Sequence, residues 1–379
     1  MSPSERCRVV DPRSPFTVLQ QRLRYVDRFP ERDWTNVVEN VPCWPQPIAT
    51  FAPESTDVLK YAPCEGNVPL LDALVGREQE RNRLSISRDQ LVITNGGMHA
   101  ISLVVRSLKR AGNIALVQAP VFTSVAQILR AAGMELRYFR ADDGRVDIDA
   151  LGSARNIGLI YLNSPNNPTG AVLRPETLSQ LLDFSRSCHA AILLDAVYDS
   201  FIFDDLSFRA PPTGFDWDRV YVVNSMSKNY GAPGLRLGWV VASTLNIQSI
   251  SALLECECVS VSGPSQRNAI KLIAQGNSEL VAHVRDGRRF VMQTLPSVKG
   301  ARFIEPMGGT QILVELPVED VEVFGDYVLT ELGLVLATRS QYQGLAGPFI
   351  RFPLGAPRAL QERALELLST GLSRFVEAF

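Results

Sequence analysis

At 379 residues the chain can bury more than one core, and its 46% hydrophobic and 21% charged residues are the make-up of an ordinary globular protein. A formal net charge of -2 gives no footing for nucleic acid or an anionic membrane, and no apolar run approaches membrane-spanning length. Met1 to Val10 lacks the apolar core of a signal peptide, so the chain reads as cytoplasmic.

The proline-studded stretch Val41 to Pro53 predicts an irregular arm. From about Leu91 to Val241, short apolar runs alternate with helical patterns, the sign of an α/β layered core. Leu91 to Thr94 predicts a strand, followed by the turn Asn95-Gly96-Gly97. A helix then starts near Met98, with Ile101, Val104, Val105 and Leu108 on one face. Asn113 to Gln118, Ile157 to Leu162, Ala191 to Leu194 and Val220 to Val223 predict further strands. Beyond about Ser265 a helical stretch runs to about Thr294. A strand at Gln311 to Leu316, a helix at Val321 to Leu332, a strand at Phe349 to Phe352 and a closing helix from Arg358 to Val376 follow. This pattern divides the chain into an arm with part of a small domain (1–50), a large domain (51–265) and a small α+β domain with its linking helix (266–379).

Ligands of open α/β sheets bind outside the carboxyl ends of the strands. That directs attention to Gly96-Gly97, Phe122, Asn163 to Gly170, Asp195 to Tyr198 and Asn224 to Lys228. With 33 arginines and only five lysines, candidate catalytic lysines are few. Lys109 and Lys271 fall on solvated helix faces. Lys228 instead follows a buried strand, between Ser225-x-Ser227 and Arg236. There an amine can condense with an aldehyde while the hydroxyls and guanidinium receive its phosphate. Gly97 and Met98 would add backbone N–H groups at a helix start, although a Gly-Gly pair by itself is usually only a turn. The three histidines are widely spread, and Cys256 and Cys258 are the only close pair among six cysteines. Free thiols and no metal are therefore expected.

Asn224 to Gly238 reads NSMSKNYGAPGLRLG and resembles the Schiff-base signature of class I/II aminotransferases, S-x-S-K with an arginine eight positions after the lysine. Asn163 to Gly170 (NSPNNPTG) is similar to that family's N-P-x-N-P-T-G loop, and Asp195-Ala196-Val197-Tyr198 to its D-x-x-Y. Thr94 to Met98 matches its glycine turn before a helix, and Phe122 falls where an aromatic side chain stacks on the cofactor. The resemblance, to fold type I pyridoxal-phosphate-dependent enzymes of the aspartate-aminotransferase kind, spans about Tyr61 to Arg351. It implies a mostly parallel seven-stranded sheet sandwiched by helices, with a smaller α+β domain.

The resemblance also implies a role for each residue. Lys228 would carry pyridoxal 5'-phosphate as a Schiff base, and Asp195 would pair with the pyridine nitrogen and keep it protonated. Tyr198 and Asn167 would bond the ring's 3' oxygen. Gly97, Met98, Ser225, Ser227 and Arg236 would seat the phosphate, and Arg351, with Asn167, would bind the substrate carboxylate. Tyr61 looks like the family tyrosine that reaches the phosphate across a homodimer interface, which implies composite active sites. An amino acid would react through an external aldimine and a quinonoid with Lys228 as the base, most often in transamination. The alternative is elimination, replacement or cyclisation on S-adenosylmethionine or a related amino acid. Gly231-Ala232-Pro233-Gly234 resembles the version also found in aminocyclopropane-carboxylate synthases, and Val41-Pro42-Cys43-Trp44-Pro45 stands where the family's glycine-proline turn is expected.

Other classes fare worse. Ser225-x-x-Lys228 has the form of an acyl-transfer motif, but S-D-N and K-T-G are missing. Asn95 to Ala100 does not supply the G-x-G-x-x-G of a nicotinamide site. A cofactor-sensing regulator on the same fold would need a basic DNA-binding extension, which the sequence does not show.

Overall fold

The computed structural model describes residues 17–46, 48, 58–108, 112–141, 144–152, 155–203 and 214–378. Part of the predicted arm and Lys109 lie outside the described residues.

Seven strands form the central sheet: β1 (Leu91–Thr94), β2 (Ile114–Ala119), β3 (Glu135–Arg140), β4 (Ile157–Asn163), β5 (Ala191–Asp195), β6 (Val220–Ser225) and β7 (Gly238–Val241). Their spatial order is β1-β7-β6-β5-β4-β2-β3. Only β7 runs against its neighbours. β1, β2, β4 and β6 are buried along their whole length, and β5 is buried beyond its first residue. This is why they read as continuous apolar runs rather than alternating ones.

Two strands of this sheet are absent from the sequence reading. β3 is an edge strand with Glu135, Arg137 and Arg140 exposed, so it carries no apolar run to detect. β7, the run Gly-Trp-Val-Val, follows the lysine signature so closely that it reads as its tail.

Helices cover both faces of the sheet. α1 (Gly97–Ser107) buries Ala100, Ile101, Leu103, Val104 and Val105 against β6 and β7. α2 (Pro175–Cys188) buries Leu178, Leu181 and Leu182 on the opposite side. A separate four-stranded antiparallel sheet contains Gln311–Glu315 and Phe349–Pro353 at its centre. The helices Val321–Leu332 and Arg358–Ala378 cover it around Phe324, Val328, Ile350 and Phe352. Ala269 and Leu272, on the helix Gly263–Gln275, belong to the core of the large sheet.

The arm is tied to the second sheet's unit. Thr35 and Asn36 pair in parallel with Leu334 and Val335. Arg22, almost fully buried, donates to Asp326 at 2.8 Å and to Thr338 at 3.0 Å. The arm from Val37 to Trp44 then turns towards the large sheet, where the Trp44 indole N–H bonds the Tyr230 carbonyl at 2.9 Å.

Candidate active site

The register of the sheet brings separated motifs to one edge. Asn163 pairs with Asp195 and Asp195 with Val223, while Thr94, Gly238 and Ser225 lie side by side across β1, β7 and β6. The strand ends and the arm enclose a cavity of about 280 Å³. It is lined by Gly97, Met98, Phe122, Asn167, Asp195, Tyr198, Ser225, Ser227, Lys228, Arg236 and Arg351, together with Glu39, Asn40 and Tyr161. Of the residues singled out in the sequence, only Tyr61 stands elsewhere. It is 83% exposed on the surface, beside Val58 and Leu59.

At one end of the cavity is an anion cradle. Gly96 precedes α1 with φ of 86°, and a Cβ there would come within 2.7 Å of the Arg236 guanidinium, so only glycine lets the two approach. The first N–H groups of α1, at Gly97 and Met98, lack helical partners and face an anion site by geometry. Ser225 caps the short helix Met226–Asn229 by accepting from the Ser227 N–H at 3.0 Å. Arg236 stands exposed, donating to the carbonyls of Pro233 at 3.0 Å and Asn95 at 3.4 Å.

At the other end is an acid. Asp195 is buried and accepts from the Tyr161 hydroxyl at 2.7 Å and from the Val197 N–H at 3.3 Å. Burial pushes its carboxyl up to about 6, against the pull of those two donors. No cationic side chain bonds it among the described residues, so a cation at the end of the cavity would complete it.

Lys228 lies between the two ends. Desolvation lowers its amine to about 8, with Arg351 and Arg236 adding to the depression and Glu39 opposing it. Its Nζ donates to Asn40 Oδ1 at 2.8 Å, and Asn40 Nδ2 donates to the Tyr198 hydroxyl at 2.7 Å. Burial holds the Tyr198 phenol well above its ordinary range.

Arg351, buried on the strand Phe349–Pro353, donates to the Tyr342 hydroxyl at 3.0 Å and to the Val38 carbonyl of the arm. Its Nε is buried without a partner, which suits a guanidinium awaiting a carboxylate. Tyr342 in turn donates to Asn167 Oδ1 at 3.0 Å.

An anion cradle, a central amine of lowered basicity and a buried acid awaiting a cation are the complement of pyridoxal phosphate, with its phosphate, aldehyde and pyridinium. The residues present fit that group. Asn40, Tyr161 and Tyr342 escape the sequence reading. Tyr161 sits among apolar strand residues, Tyr342 in no motif, and Asn40 one position ahead of the Val41-Pro42-Cys43-Trp44-Pro45 stretch. Among the described residues no cluster suits a metal ion, Cys43, Cys64, Cys188, Cys256 and Cys258 are free thiols, and no helix is long and apolar enough to cross a membrane.

The family model described as aminotransferase class I and II matches residues 33–368. The L-aspartate:5-guanidino-3-methyl-2-oxopentanoate transaminase of Pseudomonas syringae pv. syringae is 40% identical over 382 residues, covering 99% of this chain and 98% of that protein. A 3-methylarginine biosynthesis aminotransferase of Streptomyces arginensis is 38% identical, with 93% and 96% coverage. Among solved structures, the aspartate aminotransferase of Thermotoga maritima superposes with a TM-score of 0.83 at 23% identity, covering 95% of this chain and 98% of that one. That likeness concerns the fold.

Proposed function

Since the chain belongs to the class I and II aminotransferase family, we propose that Lys228 is the amine that holds pyridoxal 5'-phosphate and that the amino group moves between aspartate and a 2-oxo acid bearing a guanidino side chain. The observation that carries the cofactor assignment is the Lys228 amine, lowered to about 8, between the cradle at Gly97, Ser225 and Arg236 and the buried acid Asp195. When bound, pyridoxal phosphate supplies an aldehyde that condenses with amines and a protonated ring that draws electrons from the substrate's α-carbon.

The chain's own residues do the rest. Asp195 keeps the ring nitrogen charged by offering an opposite charge in a desolvated site. Arg351 receives the substrate α-carboxylate in a bidentate pair, giving up the Val38 carbonyl that it holds here. Tyr342, bonded to both Arg351 and Asn167, keeps the carboxylate grip in register with the Asn167 amide. Lys228 would serve as base at the substrate's α-carbon and then as acid at the carbon that carried the aldehyde, a role suited to an amine near neutral basicity.

The guanidino side chain is suggested by the two relatives that span nearly the whole chain, both of them transaminases of such chemistry by name. Glu39 supports it. Of the residues lining the cavity, Glu39 and Asp195 are the acids, and Glu39 stands exposed at the mouth, where a substrate cation can reach it. The elimination and cyclisation alternative has no such support.

Tyr61 is the remaining part of the reading. Its exposure beside Val58 and Leu59 fits a residue that enters the partner's phosphate site in a homodimer.

Borohydride treatment of the coloured protein tests the assignment. The cofactor should become fixed to the peptide containing Lys228, and Lys228→Ala should abolish both colour and turnover. Turnover surviving in that variant would refute it. A guanidino-bearing 2-oxo acid should exceed a neutral one of similar length by about tenfold or more in kcat/KM, the worth of one charge-assisted contact. Equal rates would remove the substrate reading and leave the cofactor assignment standing.

A further inference from the structure

We infer that the carboxamide of Asn40, in the arm, is a positioning residue that sets which atoms of Lys228 and Tyr198 are free to exchange protons. Asn40 is 5% exposed and held at both ends of its amide. Its Oδ1 accepts from Lys228 Nζ at 2.8 Å, while its Nδ2 donates to the Tyr198 hydroxyl at 2.7 Å and to Gln311 Oε1 at 3.2 Å. Gln311 Oε1 also accepts from the Thr310 N–H at 3.1 Å, while its Nε2 donates to the Asn166 carbonyl at 3.1 Å, so Oε1 is an acceptor at this point. A reversed amide would set N–H against the lysine's N–H and oxygen against the Gln311 oxygen. The Asn40 carbonyl is fixed as well, by the Thr310 hydroxyl at 2.7 Å. An amide tied down in this way does not follow its neighbours; they orient to it.

The consequence concerns protons. A neutral lysine amine has two hydrogens and one lone pair. With one N–H committed to Asn40 Oδ1, the lone pair is directed away from the amide, where it can accept a proton from carbon. The Tyr198 oxygen accepts from Asn40, so its own hydrogen is left for another acceptor in the cavity. One amide thereby makes Lys228 a base and Tyr198 a donor. The proton balance is closed: the amine gains the substrate's α-proton as an ammonium and, with the cofactor bound, would hand that proton on to the carbon that carried the aldehyde, returning to the neutral amine. This inference rests on Lys228 being the reactive amine.

Asn40→Asp and Asn40→Ala test it, with two readouts. The first is the pH dependence with which added pyridoxal phosphate forms its visible imine on the cofactor-free protein. The groups facing the amine are Arg351 and Arg236, which lower its basicity, and Glu39, which raises it, with Asp195 and Tyr198 the other titratable groups on the wall. A carboxylate at position 40 opposes the amine directly, so the limb in Asn40→Asp moves up by about 1 pH unit or more. In Asn40→Ala the limb stays within about half a unit of the wild type, since no charge is added. The second readout is steady-state turnover. Asn40→Ala should lose about tenfold to a hundredfold in kcat with KM changed less than about threefold, the signature of a misaimed base. An unshifted limb in Asn40→Asp, or an unchanged kcat in Asn40→Ala, overturns the inference, and if Asn40→Ala does not fold the aspartate variant decides alone. Borohydride labelling of an amine other than Lys228 would instead remove the premise, and the two failures are read separately.

Discussion

Two buried carboxylates on one segment, Asp195 and Asp199, belong to regions of opposite design. Asp199 lies in a network of buried side chains that bonds both of its oxygens, although Arg77 Nε and Asn82 Oδ1 in that network have no partner. It accepts from Arg77 Nη1 at 2.9 Å, from Asn82 Nδ2 at 2.8 Å and from Asn224 Nδ2 at 2.8 Å, and Arg77 also donates to Glu78 at 2.6 Å. Glu78 is in turn bonded by Asn82 at 2.6 Å and by the Trp239 indole at 3.0 Å. Desolvation alone would raise the Asp199 carboxyl, but the Arg77 guanidinium and its hydrogen bonds hold it below the usual range. Asp195 faces the cavity with no cation beside it, and burial raises it. A buried acid with every partner in place holds the structure together, and a buried acid left short of a cation is set to receive one. The difference between paired and waiting charge locates the reactive centre without reference to any motif.

The comparison breaks or sharpens with substitutions, taken from the largest effect down. Asp199→Ala leaves Arg77 buried with Glu78 as its one remaining carboxylate, and should lower unfolding stability by about 3–5 kcal/mol in urea titration of the cofactor-free protein. Asp195→Ala deprives only the Tyr161 hydroxyl and the Val197 N–H of a partner. At neutral pH it should cost less stability than Asp199→Ala does, while reducing kcat by about a hundredfold to a thousandfold. If Asp195→Ala destabilised the fold as much as Asp199→Ala, the distinction between the two regions would collapse.

What the sequence discloses of the fold and site follows the same line between local and distant causes. Lys228, Ser225, Ser227 and Arg236 sit within one short segment because one strand end and one turn position them together, so their spacing is readable. The buried strands around them are readable because apolar runs persist where both faces are covered. Asn40 meets Lys228 from 188 positions away, and Tyr342 meets Asn167 from 175 positions away. No local pattern encodes contacts of that kind; they arise when the second sheet and the arm close over the strand ends. The edge strand Glu135–Arg140 is hidden for a different reason, since its charged residues serve to keep an open edge in water.

The smallest effect is also the most discriminating. In the cofactor-free protein the Asp195 carboxyl titrates at about 6, raised chiefly by burial, whereas an unfolded aspartate titrates near 3.9. The folded state therefore binds this proton more tightly than the unfolded state does. The stability it contributes is complete below about pH 4 and is lost as pH rises through about 6, a change of about 3 kcal/mol at most. Asp195→Asn cannot titrate, so the wild-type stability minus that of the variant should fall across this window. Subtraction removes shared titrations such as that of Asp199, whose lowered carboxyl acts with the opposite sign. Bound pyridoxal phosphate should flatten or reverse the slope, because a ring cation stabilises the ionised Asp195 and draws its titration back down. A slope that persisted in the holoenzyme would mean that no cation reaches Asp195, and the assignment of the ring nitrogen to this acid would fail even if Lys228 carried the label.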